Sequence, residues 1–172
     1  MADDLRLRPL RKDDEPAFIA AHEAMKADDF VFGLFYEPGM DFADYLAGID
    51  AAKRGAHDRP HERVRSAFLI ADVGGTMVGR VSIRHEMNDF LAREGGHIGY
   101  GVLPGFRGRG YATEILRQAL VVARAEGTDR VLVTCDDDNL ASVAVIERNG
   151  GLFESLITAA DTGTPMRRYW IP

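Results

Sequence analysis

Seven residues at a strand-to-helix junction, Pro104-Gly105-Phe106-Arg107-Gly108-Arg109-Gly110, constrain this chain more than any other stretch. Before them, 97–103 sets Ile98, Tyr100 and Val102 among glycines and reads as a strand; the glycines predict a bulge or a close backbone approach. After them, 111–126 puts Ala112, Ile115, Leu116, Ala119 and Ala123 on one helical face, and Gly127 supplies the stop. Small residues at such a junction let backbone approach an anion while several N–H groups and the helix dipole point at it. Arg107 and Arg109 add charge that suits a pyrophosphate better than a carboxylate. The alternative is a tight turn in which the glycines serve positive φ and the arginines are solvated. Two other nucleotide loops fit worse. A Walker loop needs Gly-Lys-Ser/Thr, which does not occur, and the dinucleotide fingerprint needs a third glycine where Thr113 stands.

The rest of the chain reads as one α/β domain over residues 1–172. Leu5-Arg6-Leu7-Arg8 alternates as a strand, and Lys12-Asp13-Asp14-Glu15-Pro16 opens a helix with Phe18, Ile19, Ala21, His22 and Met25 on one stripe. A second helix is expected over 41–54 on Phe42, Tyr45, Leu46 and Ile49. The aromatic run 30–36 between them is either core packing or a pocket wall. A loop over 53–65, with His57, Asp58, Arg59, Pro60 and His61, precedes two strands, 64–73 and 76–87, around the hairpin signal Gly74-Gly75. A polar loop is expected over 88–96. Further on come a buried strand at 131–133, a helix over 140–148 capped by Asn139, and closing strands over 152–159 and 165–171.

Length and charge narrow the function. At 172 residues the chain can bury a core without a metal or disulfide. A net charge of −6 argues against a nucleic-acid partner, which usually needs a basic face. The lone Cys135 excludes an internal disulfide and fits a reducing compartment. No long apolar run or signal-like N-terminus is present, so a cytoplasmic protein without a membrane partner is expected.

Two blocks in this order resemble the GNAT superfamily of N-acetyltransferases. Gly101-Val102-Leu103-Pro104-Gly105-Phe106-Arg107-Gly108-Arg109-Gly110-Tyr111-Ala112 is similar to its acetyl-coenzyme A loop, Arg/Gln-x-x-Gly-x-Gly/Ala after a valine-containing strand. Asn139-Leu140-Ala141-Ser142, followed by Glu147 and Gly150, is similar to its later helix, in the form found in the ribosomal-protein N-terminal branch. The resemblance implies a mixed, largely antiparallel central sheet of about seven strands, flanked by helices and splayed near Val102. It implies acetyl-coenzyme A as co-substrate, held by the backbone of Tyr100, Gly101 and Val102, by Arg107, Gly108, Arg109, Gly110, Tyr111, Ala112 and Thr113 at the pyrophosphate, and by Asn139 at the pantetheine. Ser142 would stand near the thioester sulfur. Where tyrosine-bearing branches of the family place a proton donor, seven residues after this asparagine, the sequence has Ile146. The implied reaction is direct attack of an amine on the thioester, with a small-molecule or peptide amine as acceptor; a homodimer is also open, since many members are dimers. The alternative is a non-catalytic acyl-coenzyme A sensor. A different acyl donor or a nucleotide in the same cradle is a further rival.

An amine acceptor calls for a base. Candidates are Glu86, His97 and the run Asp136-Asp137-Asp138, with Asp136 first; the run also reads as a solvated turn at an acidic helix start. His57, His61, His85 and His97 lack ligand spacing with carboxylates or Cys135, so no metal is assigned. Cys135 is either inert core or an acyl nucleophile, and Asn139 is either a helix cap or a ligand contact, two roles that are compatible.

Overall fold

Leu5–Pro9 forms β1, whose alternation buries Leu5 fully and leaves Arg8 to bridge Asp14 at 2.7 Å and Asp72 at 2.9 Å. A computed structural model describes residues 2–56 and 64–172, so most of the loop expected over 53–65, including His57 and His61, lies outside the described residues. The acidic stretch after β1 caps a helix start: Arg11 N donates to Asp14 Oδ2 at 2.7 Å, and Pro16 sits in the first turn of α1 (Glu15–Met25), where a missing N–H does no harm. Phe18, Ala21, His22 and Met25 are buried along one stripe. Ile19, expected among them, is 37% exposed, because it lies about 100° around the helix from Phe18. The second helix, α2 (Phe42–Ala52), is capped by Asp41, whose carboxylate accepts from Asp44 N at 3.0 Å.

β2 (Ser66–Val73) and β3 (Thr76–Arg84) form the hairpin expected around Gly74 and Gly75, both at positive φ. β4 (Ile98–Val102) pairs with β3 from Gly79↔Val102 to Ile83↔Ile98 without a register shift. Of the two expectations for the β4 glycines, close approach is therefore the one met. A Cβ on Gly101 would stand 2.5 Å from the Phe30 ring, and one on Gly79 would stand 2.4 Å from Gly101 O. The sheet β1-β2-β3-β4 is antiparallel throughout and separates two cores. On one face Val81 and Ile83 pack against Ile115, Leu116 and Ala119 of α3 (Tyr111–Ala125); on the other, Phe68 and Ile70 meet Phe18, Phe32, Phe42 and Tyr45.

β5 (Val131–Asp136), α4 (Leu140–Arg148), β6 (Leu152–Thr158) and β7 (Pro165–Ile171) complete the chain, with a second antiparallel sheet in the order β5-β7-β6. Seven strands are thus present among the described residues, divided four and three. The sheets touch where β4 and β5 begin: His97 N donates to Leu132 O and Leu132 N donates to His97 Nδ1, both at 2.8 Å. Beyond that junction no ladder joins them among the described residues, and the gap becomes a cleft.

The loop expected over 88–96 contains a π-helical turn, Leu91–Gly95. Its polar appearance hid two anchors, buried Leu91 and Glu94. Thr134 Oγ1 donates to Glu94 O at 2.6 Å and Ala160 N donates to Glu94 Oε1 at 3.0 Å, so this turn ties β5 to the β6–β7 connection. No helix among the described residues is long and apolar enough to cross a membrane.

Candidate active site

The cleft between β4 and α4 has a volume of about 570 Å³. Its floor is one edge of β4: the strand pairs with β3 alone, and Tyr100, Gly101 and Val102 line the opening. Phe30 forms a wall because Gly101 has no side chain to keep it out, and Arg80 stacks on the far side of its ring, 4.4 Å from the centroid. The aromatic run is divided: Phe32 is fully buried core, as one expectation had it, while Phe30 lines the cleft.

At one end of the cleft the glycine-rich loop turns into α3. Gly108 (φ +74°) and Gly110 (φ +80°) adopt left-handed backbone, and Gly110 caps α3 without any side-chain hydrogen bond. The first N–H groups of a 15-residue helix thus open onto the lining formed by Gly108, Gly110, Tyr111, Ala112 and Thr113. Arg107 is fixed by three contacts, Nε donating to Val102 O at 3.1 Å and Nη2 to Asp28 Oδ2 at 2.6 Å and Met25 Sδ at 3.5 Å. Arg109 is turned away, donating to Gly105 O at 3.1 Å and lying 5.5 Å from the Phe106 centroid; it does not line the cleft.

At the other end stand Asn139 and Ser142. Asn139 Oδ1 accepts from Ser142 N at 3.1 Å, the N-cap expected of it, while both residues line the cleft. All the residues suggested for the co-substrate except Arg109 therefore share one opening. Met25, Asp28, Phe30, Phe106, Ala144, Val145 and Arg148 line it as well. Met25 ends α1 and Asp28 lies in the turn that follows; the helical stripe marks Met25 as core, and no local pattern brings either residue to the cleft. The glycine at 101 was the available signal for Phe30.

The candidate bases are placed elsewhere. Glu86 meets Arg65, which donates from N at 3.3 Å and Nε at 3.0 Å; these bonds hold its carboxyl below the usual range, and it does not line the cleft. Asp136 is exposed at the end of β5 and outside the cleft lining, and Asp137 accepts from Arg167 Nε at 2.6 Å. His97 is buried, which lowers its pKa, and its Nδ1 already accepts from Leu132 N; the imidazole is held neutral. Among the described residues lining the cleft the sole carboxylate is Asp28, the partner of Arg107.

Burial pushes the Cys135 thiol up to about 11, against an ordinary value of about 8.5. At pH 8 the thiolate fraction then falls by about two orders of magnitude, and iodoacetamide should alkylate Cys135 roughly hundredfold more slowly than a free thiol. Alkylation at the rate of free cysteine would show the site to be open and the thiol's acidity unshifted. A second hollow, of about 90 Å³, lies between α2 and the β2–β3 hairpin and shares no lining residue with the cleft.

The chain matches the family model described as acetyltransferase (GNAT) domain over residues 4–151. Solved structures with the same fold include RimJ of Mycobacterium smegmatis in complex with a coenzyme A disulfide, at 21% identity and a TM-score of 0.72, covering 97% of this chain and 81% of that one. An acetyltransferase of Salmonella typhimurium that modifies the N-terminal serine of a 50S ribosomal subunit protein aligns at 22% identity and a TM-score of 0.68, covering 97% and 94%. Spermidine N-acetyltransferase of Vibrio cholerae, in complex with coenzyme A and spermine, aligns at 18% and 0.65, covering 98% and 94%. An open strand edge, a glycine cradle at the start of α3 and a capped α4 facing them thus coincide with the family match, and the chain belongs to the acetyltransferase (GNAT) domain family.

Proposed function

We propose that this chain transfers an acetyl group from acetyl-coenzyme A to the α-amine of a peptide or protein, by direct attack in a ternary complex. The observation that carries the proposal is the continuity of the cleft, from an anion cradle at Gly108–Thr113 to the β4 edge and Ser142. The cradle suits a pyrophosphate, because it combines the helix N-terminus with the guanidinium of Arg107 and has no side chain at Gly108 or Gly110 to keep an anion away. The β4 edge suits the amide-bearing pantetheine arm, which pairs with free backbone groups as an added strand would. Bound there, acetyl-coenzyme A supplies the activated acyl carbon.

The protein's own contribution is placement and polarity. The amine nitrogen forms a bond to the acyl carbon, the carbon–sulfur bond breaks with its electron pair on sulfur, and one proton passes from nitrogen to sulfur. Holding the two reactants together supplies much of the acceleration. An α-amine, with a pKa of about 7.7–8.0, is substantially neutral near pH 7.5, whereas a lysine-like amine near 10.4 needs a strong base. A cleft whose one carboxylate is tied to Arg107 favours the acceptor that sheds its own proton. The ribosomal-protein acetyltransferases among the structural neighbours point the same way.

Thiol release from acetyl-coenzyme A tests the proposal, with peptides carrying free or blocked α-amines and with spermidine. Release with free α-amines and none with blocked ones is expected, falling with a single apparent pKa near 8 as the pH drops. Release with spermidine alone would replace the acceptor class. Tight binding of acetyl-coenzyme A with no release on any amine would favour the sensor function, to which Ile146 in place of a tyrosine is suited.

A further inference from the structure

Tyr100 carries the one hydroxyl in the cleft that is sealed from solvent and meets no partner in hydrogen-bond geometry among the described residues. Buried hydroxyls are almost always bonded, so an unpartnered one in a ligand cleft calls for an acceptor that arrives with the ligand. Its surroundings identify that acceptor. Tyr100 projects from the open edge strand β4 toward the start of α4 and toward Cys135 at the end of β5; its nearest polar neighbour is the Ser142 hydroxyl, which approaches closely enough to favour the phenolate but outside hydrogen-bond geometry, and is free to turn to an incoming ligand. Tyr100 lies between the junction at His97 and Leu132, where the sheets touch, and the phosphate cradle that follows Val102. The neighbouring α4 residues Ala144 and Val145 carry no proton to give, and Ile146 is fully buried in the core. Burial pushes the Tyr100 phenol up to about 12, so it keeps its proton at every working pH and acts as a donor, never as a base.

We infer that the Tyr100 hydroxyl donates a hydrogen bond to the sulfur of coenzyme A and stabilises the thiolate as the carbon–sulfur bond breaks. The inference rests on the acetyl transfer proposed above. As the new carbon–nitrogen bond forms, the electron pair of the broken bond comes to rest on sulfur, facing the phenol. The proton released by the amine nitrogen then reaches the sulfur, with Ser142 beside the route. Tyr100 ends the cycle in the protonation state in which it began. A dipole fixed before the reaction is of most use where charge develops, and the apolar lining strengthens it.

The test reads the thiol itself. Reduced coenzyme A is bound to the wild-type protein and to Tyr100→Phe, and the thiol pKa is followed by the ultraviolet absorbance of the thiolate. Wild-type protein should lower the pKa of the bound thiol below that of free coenzyme A, and Tyr100→Phe should weaken the bound thiol's acid dissociation by about tenfold or more. In turnover, the variant should lose about 100-fold in kcat, with coenzyme A affinity within about threefold of wild type. Ser142→Ala should cost less than Tyr100→Phe, and the double variant little more than Tyr100→Phe alone. An unchanged thiol pKa, or a Tyr100→Phe kcat within threefold of wild type, overturns the inference. Loss of coenzyme A binding in the variant also overturns it, since the hydroxyl would then serve ground-state binding. A Tyr100-dependent thiol pKa in a protein that turns over no amine would uphold the contact and remove the transferase reading beneath it.

Discussion

Replacing Gly108 by Asp should weaken coenzyme A binding by at least about 100-fold while leaving the fold intact. Gly108 adopts φ +74°, and a Cβ built on it meets nothing within 4 Å, so the cost to folding is conformational only. Asp and Asn enter left-handed backbone more readily than other side chains, and that cost is about 1 kcal/mol. The electrostatic effect is larger. A carboxylate about 5 Å from one phosphate charge is repelled by about 3 kcal/mol at an effective dielectric of 20, equivalent to roughly 100-fold in affinity. The new carboxylate would also draw the Arg107 guanidinium from the ligand, an effect of the same sign. Gly108→Asn, isosteric and neutral, is the matched comparison and should lose only a few-fold. Calorimetric titration of both variants decides the matter: equal affinities for Asp and Asn would mean that no phosphate sits at this loop.

The largest effect on stability is expected at Arg80. Its side chain is buried and has no carboxylate partner among the described residues; instead it donates to Val31 O at 2.5 Å, Phe32 O at 3.0 Å and Gly99 O at 3.1 Å. Burial pushes its pKa down, and the three carbonyls offset the lost hydration. Arg80→Leu removes the charge but strands the acceptors. Gly99 O keeps a bond from Ser82 Oγ at 3.3 Å and Val31 is exposed enough to recover water, whereas Phe32 O is left buried and unpaired. With the loss of the bonds to a charged donor, the expected destabilisation is about 3 kcal/mol. For a chain of this length that lowers Tm by about 6–12 °C. Coenzyme A affinity should fall as well, because Phe30, the wall of the cleft, stacks on the same guanidinium. A Tm within 2 °C of wild type would mean that the 30–32 segment is held by something other than Arg80.

The cradle was legible because its chemistry is local: glycines at 108 and 110, a strand before and a helix after are all read within twenty residues. Asn139 was legible for the same reason, since a cap is a three-residue pattern. Phe30 and Asp28 were legible in part: the aromatic density of 30–36 allowed a pocket wall and the Asp28-Asp29 pair an acid near the cleft, but both reach it across a long span of chain, so no local pattern singled them out. Arg80 reads as one more charge on a strand; only the fold reveals that it is buried under Phe30. The base candidates show the reverse error. Glu86 and Asp136 are conspicuous as acids, yet Arg65 occupies the first and the second faces solvent beyond the end of β5. Tyr100 was noticed for its backbone, while its hydroxyl gained meaning once burial and the absence of a partner could be seen together.

The central claim, that the cleft is built for acetyl-coenzyme A, is tested most directly by calorimetric titration of the protein with acetyl-coenzyme A beside ATP and NAD. The account predicts saturable binding of acetyl-coenzyme A with a Kd of about 1–100 μM, in the ordinary range for an enzyme's substrate, and no saturable heat from ATP or NAD at the same concentrations. Equal binding of ATP, or no binding of acetyl-coenzyme A, would contradict it.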